Sequence, residues 1–200
     1  MSESTRPYHH GDLRAALIAE AVAMIADGGV DSVTMREIGR RLDVSRAAPY
    51  RHFSDKAALL VAVAAAGFDR LNARLRRVEA APQAGMAPLE RLGEEYVRFA
   101  LAHPAHYRLM YGREALSRPD NPELRDAANT LFEDLAALFE AYQAAGRIRA
   151  GDARAQAYVA WSAVHGLASL LTDGQIHGDV EVDELIRLTT ETVATGLRVD

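Results

Sequence analysis

Apolar residues recur at three- and four-residue spacing along most of this 200-residue chain, and glycines, prolines and short polar runs interrupt the pattern. This spacing places the apolar side chains on one face of an α-helix, and β-branched runs, which favour strands, are scarce. We therefore predict an all-α protein of about nine helices. Their approximate bounds are 12–28, 34–42, 46–53, 55–80, 88–102, 105–111, 123–145, 153–172 and 182–198.

Two of these helices are short and lie close together within residues 32–56. Thr34 is a good N-cap for the first of them, and Glu37 follows at the spacing of a capping box. The dipeptide at 43–44 interrupts the apolar pattern, and Ser45 can cap the second helix. Two short helices joined by a turn of this length predict a helix-turn-helix.

Charge is distributed unevenly along the chain. The net charge is −5, and residues 57–200 hold fifteen basic and twenty acidic residues, whereas residues 36–56 hold six basic and three acidic ones. The predicted second helix contains no acidic residue and carries Arg46, Arg51 and His52. A small cationic surface suits a dimer that contacts two half-sites on double-stranded DNA, with the second helix in the major groove.

The sequence M-R-E-I-G-R-R-L-D-V-S-x-A-x-x-Y-R-H-F-x-D-K at residues 35–56 resembles the DNA-binding domain of the TetR family of bacterial transcriptional regulators. The resemblance extends over residues 8–70, and cap, turn and Y-R-H-F occur together at the family's spacing. It implies a homodimer that binds an inverted repeat in operator DNA. Pro49, in the first turn of the second helix, departs from a pattern in which many members have no proline there.

We expect ten residues of this segment to contact DNA. Arg46, Ala47 and Ala48 lie where base edges would be contacted, and the others would position the protein on phosphates. Lys56, the only lysine, stands at the start of the 55–80 helix, where free backbone N–H groups favour a phosphate contact; the alternative is an ordinary solvated side chain. The expected contacts are Thr34, Arg36, Ser45, Arg46, Ala47, Ala48, Tyr50, Arg51, His52 and Lys56.

The long helix predicted at 55–80 has apolar residues that can contact both ends of the molecule. We therefore divide the chain into a helix-turn-helix DNA-binding domain at residues 1–56 and an effector-binding and dimerisation domain at residues 57–200.

The helix predicted at 153–172 is apolar around most of its circumference, which requires burial on more than one side. Gly166 within it favours the close approach of another helix. Together with the 182–198 helix it is expected to form half of a four-helix dimer interface, as in the TetR family. Trp161, His165 and Gly166 also resemble the W-x-x-x-H-G signature of one branch of TetR C-terminal domains. The expected interface residues are Ala163, Gly166, Leu167, Leu170, Leu185, Thr189 and Val193.

Aromatic residues recur on every predicted helix from the long helix to the 153–172 helix. Ordinary core packing accounts for any one of them, but as a set they fit a mostly apolar pocket with a few polar anchors for a small-molecule effector. The candidate lining residues are Phe68, Tyr96, Phe99, Tyr107, Tyr111, Phe139, Trp161 and His165.

Several classes of function are disfavoured. The chain has no cysteine, which excludes thiol nucleophiles and thiolate metal sites, and it has no recognisable catalytic motif. His103 and His106 are three residues apart, but Pro104 breaks the helical register, so we expect surface or core-edge histidines and no metal. No cofactor is expected. Because no window approaches 18 apolar residues and no secretory core is present, we expect a cytoplasmic protein with no membrane partner.

The sequence therefore favours a ligand-responsive transcriptional repressor over an enzyme. Two alternatives stay open. One is a constitutive DNA-binding regulator whose C-terminal part only dimerises, and the other is a protein-interaction adaptor that no longer binds DNA. The basic segment at residues 46–56, with a single acidic residue, argues against the adaptor.

Overall fold

The computed structural model describes residues 13–81, 87–112 and 121–199, and no strand occurs within them. Eight α-helices and two 3-10 turns, Val30–Ser32 and Pro49–Arg51, form this part of the chain, which confirms the all-α fold. None of its helices has the length and apolar content needed to span a bilayer. In chain order the helices are α1 Leu13–Gly28, α2 Met35–Arg41, α3 Lys56–Ala80, α4 Ala87–Ala102, α5 Pro104–Tyr111, α6 Pro122–Ala144, α7 Ala153–Thr172 and α8 Val182–Gly196.

The N-terminal helices pack into the larger of two core clusters, which continues into the C-terminal helices. Leu17 and Ile25 of α1 and Ile38 of α2 are buried in it, which confirms the predicted apolar stripes. Thr34 caps α2 as predicted, because its side chain accepts a hydrogen bond from the backbone N–H of Glu37 at 3.2 Å. These contacts fix α2 against α1.

A tight turn sets the direction of the chain after α2. Asp43 adopts a left-handed φ of 52°, a conformation that aspartate tolerates better than most residues. The N–H of Val44 then donates to the carbonyl of Gly39 at 3.0 Å, which closes a Schellman turn over the last turn of α2. The break predicted at residues 43–44 is therefore confirmed.

The segment predicted as a helix at residues 46–53 is not α-helical, and this prediction is wrong. It consists of turns at residues 46–48 followed by the 3-10 turn Pro49–Arg51. Pro49 has no N–H to donate to the carbonyl of Ser45, which instead accepts from Ala48 at 3.0 Å. The following N–H of Arg51 likewise bonds three residues back, to Ala48 at 3.2 Å, so the tighter 3-10 pattern continues.

Helix α3 runs through the centre of the molecule. Its 25 residues span about 38 Å, and the Asp55 side chain caps it by accepting from the N–H of Ala58 at 2.8 Å. It packs against α1 in the N-terminal part and against α4, α5 and α6 in the C-terminal part. This arrangement confirms the predicted connecting helix, because a single rigid element contacts both parts of the protein.

Helices α4 to α8 form a C-terminal bundle. Helix α4 packs against α7 and α8, and α6 packs against α3 and α7. Gly93 allows α4 to approach closely, because a methyl group at that position would lie 2.7 Å from Thr190 and 3.2 Å from Val164. The Asp152 side chain caps α7 by accepting from the N–H of Ala155 at 3.0 Å. The bundle is therefore tightly packed on the side where α4 meets α7 and α8.

Candidate functional site

The predicted DNA contacts are mostly exposed on one continuous stretch of chain, from α2 through the 3-10 turn to the start of α3. Lys56 is half-buried at the first position of α3, and Ala48 is buried. The remaining eight are exposed, namely Thr34, Arg36, Ser45, Arg46, Ala47, Tyr50, Arg51 and His52.

Ala48 does not lie where the sequence placed it. It is 9% exposed and faces the protein interior, so the expectation that it contacts a base edge is corrected. The reason is the neighbouring Pro49, which is also buried and lies against Gly39 of α2, 3.4 Å from the position that a methyl group on Gly39 would occupy. The 3-10 turn therefore packs against α2, and Arg46 and Ala47 are exposed to solvent.

The cations of this surface fall into two groups. Glu37 hydrogen-bonds to Arg40 and Arg41 at 2.7–3.0 Å, and these bonds lower the pKa of its carboxyl to about 2. Arg41 is also paired with Glu20 at 3.1 Å, so the two arginines face two carboxylates and are neutralised locally. The other four cations form no ion pair within the described part of the chain, so their charge is available to a phosphate backbone. They are Arg36, Arg46, Arg51 and Lys56.

A cavity of about 100 Å³ lies between α3, α4, α6, α7 and α8. Its walls are mainly leucine and aromatic side chains, and at one side Arg76 and Glu79 of α3 face Asp134 of α6. The Arg76 Nε donates to Asp134 Oδ2 at 2.7 Å, so an ion pair joins α3 to α6 there. The cavity is smaller than a pocket for a drug-sized ligand, which has a volume of about 300 Å³ or more.

Half of the predicted pocket residues line this cavity, namely Phe68, Tyr96, Tyr111 and Trp161. Phe99 and Phe139 are fully buried elsewhere in the core, so the expectation that they line a pocket is corrected. Tyr107 and His165 do not line the cavity either, but the Tyr107 hydroxyl and His165 Nδ1 lie 3.2 and 3.0 Å from the Tyr96 hydroxyl, which does line it.

Tyr96 is the centre of a polar cluster behind the cavity wall. Its hydroxyl oxygen accepts from Trp161 Nε1 at 3.0 Å, and its proton is donated to Tyr111 at 2.9 Å. The Tyr107 hydroxyl lies 2.6 Å from His165 Nδ1. Burial lowers the pKa of His165, which favours the neutral ring, and a neutral Nδ1 can accept the Tyr107 proton. Burial raises the pKa of both Tyr96 and Tyr107, so both phenols stay protonated.

Sequence reasoning missed the polar residues of the cavity, which are Asn72, Arg76, Glu79, Asp134 and Thr190. Three of them follow Phe68 on one face of α3, at four-, eight- and eleven-residue offsets. That helical spacing was available in the sequence. The face of α3 that continues from Phe68 therefore identifies Asn72, Arg76 and Glu79.

The face expected to form a dimer is partly exposed. Gly166 has no atom within 4 Å of its methyl position, and Leu170 is 44% exposed. Ala163 and Thr189 are half-buried. Beside them, Val159 of α7 and Leu188 of α8 are 67% and 53% exposed, and neither was predicted.

Three of the predicted interface residues pack against their own chain, and their part in a dimer stays a prediction. Leu167 is buried in the larger core cluster, and Leu185 packs against the same cluster. Val193 lines the cavity. Helix α7 is apolar on several sides, and its inner sides are covered by α4, α6 and α8 of the same chain.

The two histidines considered as metal ligands, His103 and His106, have different surroundings. His103 precedes α5 and contacts the ring of Phe99, with ring centroids 5.1 Å apart. His106 is buried, and its Nε2 donates to the carbonyl of Val63 at 2.7 Å. Within the described residues, no three histidine or carboxylate side chains are grouped so as to bind a metal ion.

Comparison with known proteins covers both parts of the chain. Residues 17–63 match the model of bacterial regulatory proteins of the tetR family, and residues 89–193 match the tetracyclin repressor-like C-terminal domain. A solved structure from Rhodococcus sp. RHA1, described as a protein with unknown function, is 37% identical with a TM-score of 0.82, and the match covers 98% of this chain and 100% of that one.

Two curated relatives are transcriptional regulators. An uncharacterized HTH-type transcriptional regulator of Mycobacterium bovis is 29% identical over 150 residues, which are 72% of this chain and 73% of that protein. The HTH-type transcriptional repressor KstR of Mycobacterium tuberculosis is 29% identical over 146 residues, which are 72% of this chain and 58% of that protein. With a C-terminal model that spans more than half of the chain and an N-terminal model over the helix-turn-helix, the chain belongs to the TetR family and is a DNA-binding transcriptional regulator.

Proposed function

We propose that this regulator is a homodimeric repressor that leaves its operator when a small, largely apolar molecule enters the cavity of the C-terminal bundle. The name of the related repressor KstR supports the sign of the regulation. Acting on chromosomal DNA, it would work in the bacterial cytoplasm.

Binding to DNA would use the four cations without carboxylate partners, Arg36, Arg46, Arg51 and Lys56. Lys56 is the first residue of α3, so its charge adds to the free backbone N–H groups of a helix N-terminus, a favourable place for a phosphate. The exposed Arg46 and Ala47 precede the 3-10 turn and would face base edges. A surface with this much uncompensated charge argues against an adaptor that no longer binds DNA.

The observation that carries the proposal is the position of α3. Its first residue belongs to the expected DNA surface, and five residues of its C-terminal half line the cavity. Those five are Phe68, Asn72, Leu75, Arg76 and Glu79. A change in the cavity wall therefore acts on the same helix that holds the DNA surface.

The size of the cavity supports coupling. At about 100 Å³ it has less than the roughly 300 Å³ that a drug-sized ligand needs, so such a ligand must push its walls apart. Displacement of α3 would change the distance between the two DNA surfaces of a dimer. Half-sites lie about 34–36 Å apart, and a misfit of a few ångströms prevents both halves from docking together.

The test begins with a DNA sequence selected from a random library by the purified protein. We expect an inverted repeat. Apolar compounds are then titrated while operator affinity and Trp161 emission are followed together, because Trp161 is the only tryptophan and lines the cavity. A ligand should weaken operator binding by roughly 5- to 150-fold, and operator should weaken ligand binding by the same factor.

The small cavity also favours a second candidate, a constitutive regulator whose bundle only dimerises. The same titration separates the two. A constitutive regulator would bind the selected operator with an affinity that no apolar compound changes, and Trp161 emission would not respond.

A further inference from the structure

We propose that the cavity binds an uncharged, largely apolar molecule with one carbonyl or hydroxyl group, and that this group hydrogen-bonds to the side-chain amide of Asn72. The inference rests on the proposed function in one respect, since it takes the cavity as the effector site.

The cavity runs along one face of α3. Phe68, Asn72 and Glu79 lie on this face, and from Phe68 to Glu79 the helix rises by about 16 Å. Phe68 is at the inner end, where its ring meets Tyr111 edge-on with centroids 5.2 Å apart. Glu79 is at the charged end beside Arg76. Asn72 therefore lies between an aromatic end and a charged end.

Asn72 differs from the other polar groups of the wall. It is 9% exposed, and its amide makes no hydrogen bond to any residue of the described chain. Thr190 is also buried, but its hydroxyl donates within α8, to the carbonyls of Ile186 and Arg187 at 3.1 and 3.0 Å. The Tyr96 hydroxyl is bonded to Trp161 and Tyr111. Asn72 lines the cavity, so a molecule that fills the cavity must either hydrogen-bond to this amide or leave it unpaired, which is unfavourable.

The charges of the cavity decide against an anionic ligand. Among the described lining residues Arg76 is the only cation, and it is bound to Asp134. Glu79 adds a second carboxylate, so the three charged groups sum to −1. A carboxylate ligand would have to displace Asp134 from Arg76 or remain without a counter-ion. Both arrangements leave a poorly solvated negative charge.

The amide of asparagine both donates and accepts hydrogen bonds. A ketone or ester can accept from its NH₂ group, and an alcohol can in addition donate to its oxygen. A hydrocarbon of the same shape gains the apolar contacts but leaves the amide unpaired, and it should bind roughly tenfold more weakly. The chemistry of the wall therefore selects neutral oxygenated molecules over both hydrocarbons and free acids.

The test uses three probes with eight carbon atoms and different head groups, methyl hexyl ketone, n-octane and octanoate. Binding to the full-length dimer is followed by Trp161 emission. We expect the ketone to bind roughly tenfold more tightly than octane and octanoate to bind most weakly. In Asn72→Leu, which keeps the side-chain size and removes the amide, the ketone and octane should bind within about twofold of each other. In Asp134→Asn, which frees Arg76, octanoate should gain roughly tenfold.

Asn129→Leu is the matched control, because Asn129 is exposed on α6 and does not line the cavity. It should keep the preference for the ketone. If Asn72→Leu melts well below the wild type, Asn72→Ala serves the same comparison. A ketone preference that persists without Asn72, or its absence in the wild type, overturns this inference while leaving a ligand-responsive repressor intact. If none of the three probes binds, the inference and the effector cavity are both wrong.

Discussion

The DNA surface and the C-terminal bundle use arginine differently. Within residues 36–56, four of six cations have no carboxylate partner. Between residues 57 and 199, seven of the thirteen described arginines form ion pairs, and four of them are paired with a carboxylate of another helix. Examples are Arg76 of α3 with Asp134 of α6 and Arg154 of α7 with Glu133 of α6.

The difference separates two physical roles. Charges on the proposed DNA surface would be left for a partner outside the chain, and their effect on binding would then depend on salt. Charges in the bundle hold helices side by side, and each exposed pair contributes little to stability alone. In the bundle, Asn72 is a buried polar side chain of the cavity wall with no hydrogen-bond partner among the described residues, so it too is left for a partner outside the chain.

The largest effect should come from breaking the proposed dimer, because both of its DNA surfaces would have to bind together. Leu170→Arg places a charge on the exposed face of α7, beside Val159 and Gly166. We expect monomers in sedimentation and a loss of operator affinity of roughly 10²- to 10⁴-fold, since the second half-site no longer binds at high effective concentration. Asn129→Arg, on the exposed surface of α6, should remain dimeric. A stable, dimeric Leu170→Arg protein would remove this face from the interface.

A smaller effect, on the stability of the fold, is expected from a substitution at Gly67, where α5 packs against α3. A methyl group at Gly67 would lie 2.7 Å from both His106 Nε2 and Met110 Sδ. Gly67→Ala should therefore destabilise the fold by about 1–2 kcal/mol, since overpacking costs roughly 1–3 kcal/mol and helix propensity returns up to about 1 kcal/mol. Urea unfolding of both proteins measures this change in unfolding free energy. Ala73→Gly, on the exposed side of α3, gives the propensity term alone. A more stable Gly67→Ala protein would show that α5 is not held against α3 by this contact.

On the DNA surface the effects should be electrostatic. Lys56→Ala and Arg51→Ala should each lower the slope of log affinity against log salt by about 0.9, which corresponds to roughly eightfold in affinity at ~0.1 M salt. Arg40→Ala should change the slope less, because Arg40 is already bound to Glu37 at 2.7 Å. The affinity that Lys56→Ala and Arg51→Ala lose should not depend on the DNA sequence. If Arg40→Ala and Lys56→Ala lower the slope of log affinity against log salt equally, pairing with carboxylates does not decide which cations contact DNA.

The two regions also differ in how much the sequence reveals. Caps and stripes act over three or four residues, so Thr34, the break at residues 43–44 and the helix bounds could be predicted. The same local rules contained the reason for the wrong second helix, because the missing N–H of Pro49 changes the hydrogen-bond pattern. The resemblance to the family predicts a helix at this position, whereas the proline favours a turn.

The cavity depends on contacts between distant parts of the chain. Tyr96 and Trp161 are 65 residues apart, and only the packing of α4 against α7 brings them together. Helix α7 is apolar on several sides, so the sequence could not decide that Leu167 faces its own bundle while Leu170 is exposed. The domain boundary after residue 56 remains a prediction.

The smallest expected effect is a pH dependence of stability that arises from the buried ring of His106. Burial, together with Arg70 and His103, lowers the pKa of His106 from its usual 6.5. The folded protein therefore favours the neutral ring, whose Nε2–H donates to Val63, and the unfolded chain binds more protons below about pH 6.5. Stability from this residue is present above that pH and falls as the solution is acidified. His106→Gln, which retains a donor but does not titrate, should lose less unfolding free energy than the wild type between about pH 7.5 and pH 5.5. Asn129→Gln, on the exposed surface of α6, carries no titrating group and should lose as much as the wild type. If the unfolding free energies of His106→Gln and the wild type depend on pH in the same way, the buried imidazole of His106 does not cause the loss of stability at acid pH.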